Sequence, residues 1–152
     1  MYTREELKLL KRDFWEGFSD YCKALPHLKD RKRTWMLYNT KVKGVELKFD
    51  LSRQGVAVVL EVNSKPVSKR KEMYEKLGWY KADLEKDIPD ALIWEEDYQR
   101  ESGEVVSRLY TMIYNLDFHR RQDWMALYQF MESRMYILEK NLLSISEYLR
   151  EE

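Results

Sequence analysis

The chain has 152 residues, enough for one domain that buries roughly 70% of the surface its unfolded form exposes. The lone cysteine, Cys22, cannot close an internal disulfide and fits a half-buried, inert thiol. The 27 Lys+Arg and 27 Asp+Glu cancel, which excludes attraction to nucleic acid or membrane by bulk charge, and the N-terminal MYTREELKLLKRDF is too charged for a secretory signal. No run approaches the ~18 apolar residues of a membrane span, so no membrane role is expected and the default location is the cytoplasm.

Thr3 and Glu6 have capping-box spacing, and Leu7, Leu10, Phe14, Phe18, Tyr21 and Leu25 follow at steps of three or four. This predicts an amphipathic first helix that Pro26 ends. A basic connector, Lys29 to Arg33, leads to Thr34–Thr40, whose β-forming residues predict a first strand.

Val45 to Val62, VELKFDLSRQGVAVVLEV, is the most definite element. Two alternating segments meet at a Gly-containing turn, the pattern of a β-hairpin. If Leu51 faces Val56, then Phe49 faces Val58, Leu47 faces Leu60 and Val45 faces Val62, so one face is wholly apolar; a slip of one residue destroys that match. On the other face Glu46 is then opposite Glu61, Lys48 opposite Val59 and Asp50 opposite Ala57.

After Pro66 a second helix is expected from Ser68 toward Ile88, with Met73, Leu77, Tyr80, Leu84 and Ile88 as its apolar stripe and Gly78 as a point of close packing. Leu92–Tyr98 and Glu104–Ile113 predict a second hairpin around Glu101-Ser102-Gly103, with Trp94 central to its first strand. From about His119 the chain reads as helix, with Trp124, Leu127, Tyr128, Met131, Met135 and Leu138 on one face and an interruption expected at Asn141. The order α-β-β-β-α-β-β-α gives an α+β fold, residues 1–152 as a single domain, with a mainly antiparallel sheet covered by helices.

The candidate chemistry is sparse. Opposed Glu46 and Glu61 bring Cβ atoms within about 5.5 Å, where two carboxylates repel unless a cation or a proton lies between them; Lys48 is the neighbouring cation. The element order is distantly similar to the restriction-endonuclease-like core, whose hairpin presents an Asp and then a Glu-x-Lys to Mg²⁺. Here Glu61 is followed by Val62 and Asn63, so the motif's lysine is absent and Glu46, Glu61 and Lys48 amount to at most a degenerate phosphodiesterase site. His27 and His119 lack partners at metal-ligand spacing, and no Gly-rich phosphate loop or Gly-x-Ser-x-Gly elbow occurs. No metal, cofactor or catalytic residue is therefore expected. Arg31, Arg33, Lys69, Arg70 and Lys71 form basic clusters able to contact phosphates, although charges in so charged a chain more often form a solvated face.

Phe14-Trp15-x-x-Phe18, Trp35, Trp94, Ser107-Arg108-Leu109-Tyr110 and Asp123-Trp124 resemble, over almost the whole chain, the bacterial domain of unknown function 4268 family in its stand-alone form. These motifs are aromatic anchors rather than catalytic signatures. Other members carry a predicted nuclease domain in front, so the resemblance implies an association with DNA processing and carries over no catalytic residue. Arg108, beside aromatics in a strand, is expected to make an ion pair or a cation–π contact. The resulting expectation is a cytoplasmic interaction domain that binds a protein partner or a second copy of itself, with a nucleic-acid-binding accessory role as the alternative.

Overall fold

The computed structural model describes residues 2–28, 35 and 40–150. Helix α1 (Arg4–Lys23) opens with the capping box: the Glu6 amide donates to Thr3 Oγ1 at 3.1 Å and the Thr3 amide to Glu6 Oε1 at 3.0 Å. The exchange satisfies two amides that a helix start leaves without partners. Leu10, Phe14 and Phe18 are its buried face, and a 3-10 turn at Pro26–Leu28 follows.

The strand expected at Thr34–Thr40 lies outside the described residues except at its Trp35 and Thr40. Both are buried, Trp35 against Phe18 and Phe49. Strands β1 (Val45–Ser52) and β2 (Gly55–Val62) pair antiparallel in the register read from the sequence, Val45 opposite Val62 through Leu51 opposite Val56. β3 (Ile93–Gln99) and β4 (Val105–Tyr114) form the second hairpin, with a register shift between Glu95 and Tyr98. The four strands make one antiparallel sheet in the order β1-β2-β4-β3. Gly55 opens β2 at φ +152, and a side chain there would run into the Ile113 carbonyl of β4.

The second helix is shorter than its stripe suggests. α2 (Val67–Trp79) stops at Tyr80, whose φ −109 and ψ 26 leave the helical region, and a single turn, α3 (Lys81–Leu84), follows. Gly78 faces open space rather than a packed neighbour, and lies one residue from the end of α2, where a flexible backbone weakens a helix least.

α4 begins at Trp124, after a 3-10 turn at Arg121–Asp123, and runs unbroken to Arg150. Asn141 does not interrupt it. Its buried side-chain amide donates to Leu84 O and Lys86 O, both at 2.8 Å, so it caps the end of α3 instead of competing for its own helix backbone.

One core cluster joins these parts. Val56, Val58, Leu60 and Val62 of β2 meet Leu127, Met131, Met135, Leu138 and Leu142 of α4. Phe14 of α1 sits 5.0–6.0 Å from the rings of Trp15, Phe118, Trp124 and Tyr128, and the Tyr128 hydroxyl donates to Phe14 O at 2.7 Å. The ring contacts from helices to the sheet fall on Phe49 and Trp94, residues of the face that carries the core. Among the described residues, the helices therefore stack on one side of the sheet.

Replacing Asn141 with Ala leaves the buried Leu84 carbonyl and the part-buried Lys86 carbonyl without their donor. The expected loss is about 1–3 kcal/mol, read from urea unfolding by Trp fluorescence; an unchanged midpoint contradicts the capping role.

Candidate functional site: the open face of the sheet

Alternation sends every second side chain away from the helices. On that face lie Glu46, Lys48 and Asp50 of β1, Ala57, Val59 and Glu61 of β2, Arg108, Tyr110 and Met112 of β4, and Ile93, Glu95 and Tyr98 of β3, as the strand registers require. Ala57, Val59 and Val106 are buried yet lie outside the core cluster. They form a thin second apolar layer beneath the long side chains of the neighbouring strands.

Glu46 and Glu61 are opposite each other, as read from the sequence, and hydrogen-bond donors lie against both carboxylates. The Glu61 side chain is only 3% exposed. It accepts from Arg100, whose Nε is 3.3 Å away and whose terminal nitrogen also bonds it, from Lys48 at 3.4 Å and from the Asn63 amide at 3.2 Å. The same Asn63 amide bonds Glu46, and Arg100 also bonds Glu104. Burial alone raises the Glu61 pKa, but the Arg100 hydrogen bond, with Lys48 and Asn63, outweighs it and holds the carboxyl below the ordinary glutamate range. Among the described residues no group of three or more His, Cys, Asp and Glu converges to hold a metal ion.

A second network lies alongside. Arg108, its side chain 6% exposed, is clasped between the rings of Tyr98 and Tyr110, 4.0 and 4.6 Å from their centroids, and pairs with Asp50 at 3.3 Å. Its Nε is buried without a hydrogen-bond partner, so the two ring faces supply much of what solvates the cation. The Tyr110 hydroxyl donates to Glu95 at 2.5 Å, and burial, then that bond, push its pKa up to about 12.

Of the basic residues singled out from the sequence, the three described ones are consecutive on α2 and differ in burial. Arg70 is buried, donating to Ser107 Oγ at 2.7 Å, Glu96 O at 2.5 Å and Asp97 at 3.0 Å, so it pins α2 to the second hairpin. Lys71 pairs with Glu96 and Asp97 at 3.5 Å, Lys69 is exposed, and Arg31 and Arg33 lie outside the described residues. His119 Nδ1 is 2.6 Å from Asp117 and His27 Nε2 is 2.7 Å from Glu132, each apart from the sheet face. Sequence reasoning missed Arg100 and Asn63. Both sit just beyond a strand end, and neither carries a local pattern that announces a carboxylate partner as far away as Glu61 is from Arg100.

Because the folded-state pKa of Glu61 is lowered, its contribution to stability is complete above the unfolded value of 4.5 and is lost as pH falls through the lower folded value. Glu61→Gln is expected to cost about 1–3 kcal/mol at neutral pH, since it removes the buried charged acceptor shared by Arg100 and Lys48. The gap from wild type should narrow as acid protonates Glu61. Denaturant titrations across that range check it, and a gap independent of pH contradicts the role.

Neither the curated proteins nor the solved structures include a match to this chain. The family described as Domain of unknown function (DUF4268) matches residues 10–145, nearly the whole chain and including Arg100, Arg108, Tyr98 and Tyr110 of the sheet face, and the chain therefore belongs to that family.

Proposed function

We propose that the protein is a non-catalytic binding module that presents the open face of its sheet to a protein partner. The observation that carries this reading is the composition of that face. The Tyr98–Arg108–Tyr110 stack stands at its middle, Met112 is half-buried, and Ile93 and Tyr114 are exposed. Tyr, Arg and Met are the residues enriched in interface centres. The carboxylates already accept from Arg100, Lys48, Asn63 and Tyr110, an arrangement suited to a preformed surface more than to proton transfer.

A nucleic-acid partner on this face is less well supported. Glu46, Asp50, Glu61, Glu95 and Glu104 outnumber Lys48, Arg100 and Arg108, the reverse of what phosphate binding needs. A cytoplasmic location is supported by the lone cysteine. Among the described residues no helix is long and apolar enough to cross a membrane.

A photo-crosslinking side chain placed at Tyr114 is expected to give a discrete protein adduct in native cells. Ile93→Arg on the same face should suppress that adduct and Leu143→Arg, on α4, should not. Adducts from a crosslinker at Leu143 but none from Tyr114 overturn the reading. Light scattering of the purified chain identifies a second copy as the partner if it reports a dimer that Ile93→Arg dissociates.

A further inference from the structure

The charged side chains of the open face differ in exposure, and its carboxylates outnumber its cations. Arg108 lies between two rings, and Arg100, 29% exposed, and Lys48, 40% exposed, converge on buried Glu61. Three further carboxylates are more exposed than the groups they bond: Asp50 pairs with Arg108, Glu104 with Arg100, and Glu46 accepts from Asn63. Glu46 is exposed at one margin of the sheet, the Asp50 side chain, four residues further along β1, is 49% exposed, and Glu104 is 48% exposed at the turn of the second hairpin. With Glu46, Asp50, Glu61, Glu95 and Glu104 against Lys48, Arg100 and Arg108, the face offers net negative potential to whatever approaches.

Apolar side chains lie between these acids. Ile93, Tyr110 and Met112 occupy successive positions across β3 and β4, with Ala57 and Val59 as their floor. A partner that complements both features carries apolar side chains flanked by cations. We infer that the partner of this face is a cationic protein segment, with Lys or Arg side chains that reach Glu46, Asp50 and Glu104 while its apolar side chains lie over Tyr110 and Met112. The inference rests on the docking role proposed above. Complementary charge of this kind sets orientation and association rate more than affinity, and its effect fades with salt.

The test uses isotopically labelled full-length protein and three probes: a short peptide alternating lysine and valine, its glutamate counterpart, and single-stranded oligothymidine. The lysine peptide is expected to shift amides of β1, β3 and β4, and to bind less tightly as salt rises. Combining Glu46→Gln, Asp50→Asn and Glu104→Gln should weaken it about tenfold, the product of three exposed pairs. The salt series on wild type keeps the test valid should the triple variant fold poorly. Tighter binding of the glutamate peptide or the oligonucleotide to this face overturns the inference, as does an absence of lysine-peptide shifts there. If crosslinks from Tyr114 persist in that event, the face still docks a protein and only its charge preference is wrong; if they vanish too, the docking role itself fails.

Discussion

A sheet covered by helices on one side must satisfy its other side with its own side chains, and that constraint organises this molecule. Glu61 is the sharpest instance. It lies on the central strand β2, opposite Glu46 on one neighbour and Arg108 on the other. The ion pair that register alone suggests, Glu61 with Arg108, is not the one formed. Glu61 takes Arg100 from the hairpin turn together with Lys48 and Asn63, while Arg108 turns to Asp50 and two tyrosine rings. Two adjacent networks thus cover Ala57, Val59 and Val106, which would otherwise present apolar surface to water.

The helical side obeys a different rule. There α4 supplies a continuous apolar stripe, and α1 joins it through the ring cluster around Phe14. Polar side chains on this side act as pins between elements: Tyr128 to the α1 backbone, Asn141 to the end of α3, Arg70 to Ser107 and Glu96. Each ties down a point where the chain changes direction or where a helix meets the sheet edge. Arg70 in particular meets the register shift of β3, where the sheet's own ladder is interrupted and a guanidinium can substitute for missing strand partners.

How far these features were legible in the sequence follows from the range over which each is determined. The first hairpin could be read residue by residue, because a period of two and a turn fix the register within 18 positions. The capping box at Thr3 was legible from local spacing too, whereas for Arg108 only the kind of contact was expected and its partner Asp50, 58 residues away, was not. Asn141 was misread as a break because its intrinsic preference opposes helix, whereas its actual partners are the carbonyls of Leu84 and Lys86. Arg70 looked like one of three surface cations, and nothing local shows that Ser107 and Glu96 lie within its reach. The division of the second helix at Tyr80 was hidden for a related reason: Leu77 and Leu84 both fall in the core, so a continuous stripe describes their burial as well as the observed break does.

β2 is hydrogen-bonded along both edges and buried on both faces. Such a strand opens to solvent only when the whole domain does, so its amides belong to the slowest-exchanging class. The open face is therefore mounted on the most persistent part of the chain. Its central side chains are already held in place by rings and ion pairs before anything arrives, and little conformational entropy is left to lose when they are covered.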